Sequence, residues 1–243
     1  MDKITIYDLV SGSYDDQIGP TSRREWAKGI IALLQHVHLN RGLVIDIGCG
    51  TGSGAEMLSR VGDFTIDGVD GSIPMLNIAK RKNLYRNIFT EIFPPLSCDN
   101  EMYDLACCGF DTLNCLPPEQ HAEFLNSVRN RLKPGGWFVF DALIPSEREQ
   151  TTARETTSIH ETTHESPRLH MVTAYAETFC TIRVTVETAH GSVSAAQEKL
   201  AYASEAGLIL LLQKSGFIVE NQKKFSLDSA APPSKLALLC RRG

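Results

Sequence analysis

Residues 44–58 read VIDIGCGTGSGAEML. An apolar run carries a single acid, Asp46; four glycines then fall within the seven residues 48–54, and helix-forming residues follow. The run is short and rich in β-branched residues, which predicts a strand over Leu43–Ile47 buried on both faces, as in the centre of a parallel sheet. Glycine adopts turns closed to other residues and leaves no side chain between the backbone and a ligand. A helix is predicted to start at Gly54 and run to Arg60. Strand, glycine turn and helix together form a unit that lets a small molecule touch main chain, and the question is which molecule.

Downstream, the same rhythm repeats. Phe64–Val69 reads as a second strand ending at Asp70, Ile73–Lys82 as a helix, and Asn87–Ile92 and Tyr103–Cys108 as two further strands. Pro117 and Pro118 open a helix with Ala122, Leu125, Val128 and Leu132 on one face. It stops at Lys133-Pro134-Gly135-Gly136, where proline and glycine cannot continue it, and Trp137–Asp141 is a fifth strand. Alternating strands and helices predict right-handed β-α-β crossovers and a parallel sheet. Upstream, Thr21–Leu39 places Trp26, Ile30, Leu33, Leu34 and Val37 at helical spacing. After Pro145 the rhythm breaks. Ser146–Pro167 is polar and threonine-rich and reads as a surface loop. Arg168–Glu177, Cys180–Thr188 and Ala195–Ala203 read as antiparallel strands, with a turn at His190-Gly191. A helix over Ser204–Ser215 and strands over Phe217–Glu220 and Leu236–Cys240 close the chain. The expectation is one α/β, Rossmann-like domain over 1–243. Its parts are a helical cap (1–40), a ligand-binding core (41–145 and 204–243) and an antiparallel insertion (146–203) serving as substrate lid or dimer contact.

Composition narrows the function. With 24 basic and 29 acidic side chains the chain carries a net charge of -5, so no global basic field favours nucleic acid or an anionic membrane. The longest apolar runs, such as Gly207–Leu212, fall far short of the roughly 20 residues of a membrane span. MDKITIYDLV lacks the apolar segment of a signal peptide. Seven cysteines, an odd count without zinc-like pairs, read as reduced thiols of a cytoplasmic protein.

Three ligand classes use a strand, a glycine turn and a helix. The dinucleotide fingerprint G-x-G-x-x-G is met at Gly48 and Gly50 but Ser53 stands in place of its third glycine. A nucleoside-triphosphate loop needs G-K-[ST] at its end, and no lysine lies between Gly50 and Arg60. What remains is an acid before the glycines (Asp46) and an acid ending the next strand (Asp70), placed to accept from both hydroxyls of a ribose. S-adenosylmethionine (SAM) has a ribose and no pyrophosphate, and here glycines would permit close approach of its ribose and methionine part.

VIDIGCGTG (44–52), DGVDGSIPMLNIAKRK (67–82), YDLACCGFDTLNCL (103–116) and LKPGGWFVFDAL (132–143) resemble, in order and at ordinary spacing, the successive motifs of class I SAM-dependent methyltransferases. The resemblance covers roughly Arg41–Leu143. YDLVSGSYDD (7–16), FDTLN (110–114) and the late antiparallel insertion are similar to the small-molecule branch, which includes amino-sugar N-methyltransferases and other natural-product enzymes. It implies a seven-stranded sheet with its last strand antiparallel, and SAM as methyl donor with S-adenosylhomocysteine as product. Carried over by position, Gly48, Cys49, Gly50 and Gly52 would line the methionine side and Asp46 would order the amino group. Asp70 would hold the ribose, or alternatively cap the following helix. Gly71 and Ile73 would lie beside the adenine, Glu91 and Ile92 near its amino group, and Phe110 would reach toward the sulfonium.

A neutral amine needs only to be presented unprotonated, whereas a hydroxyl acceptor needs a base. Catalytic candidates are Tyr14 in the cap segment, Asp111 after the fourth strand, at the carboxyl edge where open α/β sheets bind ligands, and His121 in the first turn of a helix. Tyr14 reads equally as a packing residue, Asp111 as a loop cap, and His121 as a solvated side chain; His170 on an insertion strand is weaker still. His160–His164 spells HETTH, the zinc-peptidase pattern. That chemistry needs a stable helix and a third ligand, whereas this segment is threonine-rich with no apolar face, so no metal is expected. No [DNS]-P-P-[YFW] follows the fourth strand, where CCGFD stands, which argues against methylation of DNA bases or protein amides. The expectation is methyl transfer to nitrogen or oxygen of a small molecule in secondary metabolism, by a monomer or homodimer. A SAM enzyme catalysing cyclisation or decarboxylation, or a non-catalytic SAM-binding protein, are the alternatives.

Overall fold

The computed structural model describes residues 5–18, 20–144, 154–160, 168–187, 193–226 and 234–243. In chain order the core strands are β1 (Arg41–Ile47), β2 (Asp63–Asp70), β3 (Asn87–Thr90), β4 (Tyr103–Cys108) and β5 (Leu132–Leu143). Strands β6 (Arg154–His160), β7 (Arg168–Tyr175), β8 (Phe179–Glu187) and β9 (Val193–Ala201) form the insertion, and β10 (Phe217–Phe225) and β11 (Lys235–Arg242) end the chain. Helices are α1 (Ile6–Val10), α2 (Pro20–His36), α3 (Ser53–Leu58), α4 (Ile73–Arg81), α5 (Thr112–Cys115), α6 (His121–Arg131) and α7 (Glu205–Lys214).

Seven strands pair in the order β10-β11-β5-β4-β1-β2-β3. Strands β1 to β5 run parallel, and β11 inserts antiparallel between β5 and β10. This is the α/β sheet expected from the sequence. The pleat sends alternate side chains to opposite faces, and both faces are covered. Ile45, Ala106, Cys108, Phe138 and Phe140 join one core with Phe124 and Val128 of α6 and Leu208 and Leu212 of α7. Val44, Leu105, Cys107, Val139 and Leu239 join the other with Ile30, Leu33 and Leu34 of α2. Phe138 and Phe140 stack with ring centres 4.5 Å apart. The adjacent Cys107 and Cys108 therefore face different layers, both fully buried.

The insertion is a separate antiparallel sheet in the order β6-β7-β8-β9. It corrects the reading of residues 146–167 as a loop: Arg154–His160 is an edge strand, paired with β7 from Arg154↔Tyr175 to His160↔Leu169. Threonine is a good strand former, and an edge strand with one ladder does not need the apolar alternation of a central one. The inner face of this sheet, with Leu169, Val184 and Val186, packs on Ile6 and Val10 of α1 and on Met75 of α4. The insertion thus lies over the cap, and the cap lies over the carboxyl ends of β1 and β2. No helix among the described residues is long and apolar enough to cross a membrane.

Candidate functional site

A cavity of about 300 Å³ opens at the carboxyl edge of β1, β2 and β4, the edge where open α/β sheets bind ligands. The glycine turn forms its floor. Gly48 and Cys49 donate their N–H groups to the Val69 carbonyl at 2.8 and 3.1 Å, which ties the turn to β2. Gly48 has φ +69, and a Cβ there would sit 2.5 Å from Thr112 Oγ1, so only glycine lets the turn pass under the 109–116 loop. Gly50 has φ +52 and nothing within 4 Å of its Cβ position except a backbone oxygen at that distance; its face toward the cavity is open.

Asp70 stands at the centre. Its Oδ2 accepts from the Gly50 N–H at 2.9 Å and its Oδ1 from the Ser72 N–H at 2.8 Å. A carboxylate has about four acceptor directions, and with the Gly50, Ser72 and Gly71 N–H groups acting on it Asp70 keeps capacity for a further donor. Burial pushes the Asp70 carboxyl up, and the backbone N–H groups of Ser72 and Gly50 oppose that shift. Asp46 is more deeply buried; its Oδ2 accepts from the Tyr85 hydroxyl at 2.7 Å. Burial raises the Asp46 carboxyl to about 6, against the Tyr85 hydrogen bond.

The amino end of α3 already faces an anion. Asp15, on the one-turn helix Tyr14–Ile18, accepts from Thr51 Oγ1 at 2.6 Å, Ser53 Oγ at 3.3 Å, Arg23 Nη1 at 3.0 Å and Lys82 Nζ at 2.7 Å. Against the cost of burial, Lys82, Thr51 and Arg23 hold its carboxyl below the usual range. A dinucleotide would put its pyrophosphate at that helix end, where the Asp15 carboxylate already takes the Thr51 and Ser53 hydroxyls. Asp15 also straps the cap segment onto the glycine turn.

Of the residues singled out in the sequence, Tyr14, Asp46, Gly48, Cys49 and Gly50 line the cavity, as do Asp70, Gly71, Glu91, Ile92 and Phe110. Glu91 is held by the Ser97 N–H at 2.8 Å and by the Ser97 hydroxyl. Gly52 shapes the turn from outside the cavity, at φ +90 as N-cap of α3. Ile73 is 59% exposed and points away; its neighbours Ser72 and Met75 line the wall instead.

The catalytic candidates separate. Tyr14 lines the cavity, but burial and the neighbouring Asp111, Cys115, Asp15 and Asp70 push its hydroxyl upward, so it is a hydrogen-bond donor and not a base. Asp111 lies outside the lining, and its Oδ2 is bound by the buried Lys235 ammonium, which also lies 3.7 Å from Asp141. His121 corrects the reading of a solvated histidine: it is buried, and its Nε2 lies 3.0 Å from the Leu116 carbonyl, where it pins the end of the loop and does not meet the cavity. His170 is exposed on the outer face of β7. His160 ends strand β6, and residues 161–164 of the HETTH pattern lie outside the described residues.

Among the side chains that sequence reasoning missed, four bear most on the chemistry. Tyr7 from α1 and Cys115 from α5 line the wall, Tyr7 Oη and Cys115 Sγ being 3.1 Å apart. Glu198 of β9 brings a carboxylate in from the insertion. Asn114, fully buried, donates to the carbonyls of Leu143 (3.2 Å) and Ala201 (2.6 Å) and accepts from the Leu143 N–H at 2.8 Å. It thereby locks the 109–116 loop to β5 and β9. Tyr7 and Asn114 lay in the stretches quoted for the resemblance; nothing in the sequence marked Glu198.

Comparison with known proteins agrees with this geometry. Residues 44–136 match a family described as "Methyltransferase domain". A ubiquinone biosynthesis O-methyltransferase of Paraburkholderia xenovorans is 32% identical over 113 residues, 44% of this chain and 47% of that protein. The chain spans about half the length of the curated relatives it matches. An S-adenosylmethionine-dependent methyltransferase from Clostridium acetobutylicum superposes with a TM-score of 0.76 at 17% identity, covering 98% of this chain and 99% of that one. CalS10, an amino pentose methyltransferase from Micromonospora echinaspora with bound SAM, superposes at 0.68 and 16% over both whole chains. The glycine turn, the acids that flank it and the strands that carry them thus lie within the residues, 44–136, that match that family, and the chain has the fold those structures share.

Proposed function

We propose that the protein is a SAM-dependent methyltransferase that methylates nitrogen or oxygen of a small-molecule acceptor, in secondary metabolism. The observation that carries the reading is Asp70: a buried carboxylate at the centre of the cavity, both oxygens oriented by backbone N–H groups, at the end of β2 in a methyltransferase domain. The residues present fit the donor. Asp70 keeps acceptor capacity on the cavity side for the ribose, Gly50 is open to the cavity, and Asp46 offers a buried acceptor to an ammonium group. The Asp15 carboxylate occupies the hydroxyls at the amino end of α3, where a pyrophosphate would sit. Gly48 and Cys49 would lie along the methionine side, Gly71, Glu91 and Ile92 around the adenine, and Phe110 toward the sulfur.

When bound, SAM supplies a methyl carbon activated by a positively charged sulfur. The chain's own work is then positioning and drying. Tyr7, Tyr14 and Met75 close the cavity against the cap, and the insertion covers the cap from outside. Holding donor and acceptor collinear and apart from water supplies much of the barrier reduction. Relatives and neighbours include a ubiquinone biosynthesis O-methyltransferase and an amino pentose methyltransferase, and both acceptor classes fit this reading. Seven free thiols, five of them buried, support a reducing, cytoplasmic setting. In an acceptor panel incubated with SAM, the reading expects release of S-adenosylhomocysteine together with a product heavier by one methyl group. Loss of acceptor without S-adenosylhomocysteine would assign a different SAM chemistry, and SAM binding with no turnover on any acceptor would make the protein a binding partner.

A further inference from the structure

The face of β9 follows the strand period. Ala196, Glu198 and Leu200 turn inward, while Gln197 and Lys199 are exposed, Lys199 lying 3.8 Å over the Phe179 ring on the outer side. An inward position next to Leu200 is where an apolar residue belongs. Here it holds a carboxylate that reaches the cavity wall beside Tyr7 and Cys115. Its charge helps push both of those groups upward, behind the larger effect of burial.

The cavity as a whole is one-sided. Asp46, Asp70, Glu91 and Glu198 line it, and no lysine, arginine or histidine does so among the described residues. Asp46, Asp70 and Glu91 sit on the core sheet around the glycine turn, where the methyl donor is assigned. Glu198 comes from the other wall, on the insertion. An acidic cavity with low-dielectric walls attracts cations and repels carboxylate or phosphate groups. It also offers a bound hydroxyl no cationic partner for the alkoxide it would become.

We propose that Glu198 is the acceptor-binding residue and that the acceptor is a small aliphatic amine that enters as its ammonium ion. The proposal rests on the methyltransferase reading and narrows its acceptor. The ammonium ion-pairs with Glu198 and gives one N–H proton to a Glu198 carboxylate oxygen. The freed nitrogen lone pair forms the N–C bond as the S–C pair returns to sulfur. One positive charge passes from sulfur to nitrogen, and the product leaves as the N-methylammonium ion. Glu198 returns its proton to water, and the cycle is closed.

The test is calorimetric titration of the protein saturated with S-adenosylhomocysteine, using matched probes: cyclohexylamine against cyclohexanol, and glucosamine against glucose. The amine of each pair should bind at least about tenfold more tightly than the alcohol, the gain expected of one partly desolvated ion pair. The affinity of cyclohexylamine should fall as pH rises through its own titration near ~10, and that of glucosamine at the lower pH where its amine titrates. Glu198→Gln, which keeps the shape, should abolish the preference while SAM affinity measured on the same preparation stays within about twofold. Amines binding no better than alcohols, or an unchanged preference in Glu198→Gln, would overturn the assignment of Glu198. Failure of SAM itself to bind would instead remove the methyltransferase reading beneath it.

Discussion

Three aspartates within 25 residues show how far residue type alone carries. Asp46, Asp67 and Asp70 all end or interrupt apolar strands, and all three are largely buried. Asp67 is spent on structure: it takes Arg86 Nε at 2.9 Å, the Asn87 N–H at 3.1 Å and the Tyr103 hydroxyl at 3.0 Å, bracing β2 against β3 and β4. Asp70, three residues on, emerges past the strand end and faces the cavity. That difference was legible, because the pleat and the strand end place Asp70 at the carboxyl edge and Asp67 within the sheet. Asp70→Asn should weaken SAM binding about 30- to 100-fold, the loss of two charge-assisted hydrogen bonds, as read by calorimetry. Asp46 makes a pH prediction. With its carboxyl at about 6 in the ligand-free protein, ammonium binding needs it ionised, so protons compete with SAM. Affinity should be flat above about pH 7 and fall toward a tenfold loss per unit below about 6, and Asp46→Asn should flatten the part of the profile centred there.

Elements bring these residues together through connections the sequence pattern does not display. The 109–116 loop runs through Phe110 and Asp111 at φ +57 and +63, left-handed positions that cost about 1–3 kcal/mol each unless the surroundings enforce them. Lys235 of β11, at 4% exposure, enforces them from below through Asp111 and Asp141, and Asn114 from the side. Lys235→Met leaves two buried carboxylates facing each other and should cost about 3–5 kcal/mol in urea unfolding. Asn114→Ala should leave the sheet intact but loosen the loop, raising acceptor KM several-fold more than SAM KM, as steady-state kinetics would show. Asp15→Ala cuts the strap between cap and glycine turn. It should weaken SAM several-fold and cost about 1 kcal/mol, since this cluster is partly screened by water. Strand β6 escaped sequence reading because RETTSIH is polar, and polarity was taken for loop; its threonines are equally strand formers. Glu198 escaped for a related reason: QEK in β9 is polar throughout, and only pairing with β8 and the burial of Leu200 decide which of the three turns inward.

At the scale of the whole molecule, the parallel core was legible because strands buried on both faces leave a one-dimensional trace: apolar runs of fixed length, each followed by a turn and an amphipathic helix. The antiparallel insertion left a weaker trace, since one face of its sheet meets solvent and the other meets the cap across more than 100 residues of sequence. Half of the site was therefore readable, the half built on the core, where Asp46, Gly50 and Asp70 converge. The half built from the cap and insertion depends on tertiary packing of α1 under β8 and β9.

The assignment of SAM to the cavity at the end of β1 and β2 underlies the predictions above. Its most direct test is calorimetric titration of the purified protein with SAM, S-adenosylhomocysteine and NAD. Both sulfur compounds should bind with Kd on the order of 1–100 µM, one site per chain, with no heat from NAD, whose fingerprint lacks its third glycine here. Binding of NAD, or binding of neither sulfur compound to a folded preparation, would contradict it.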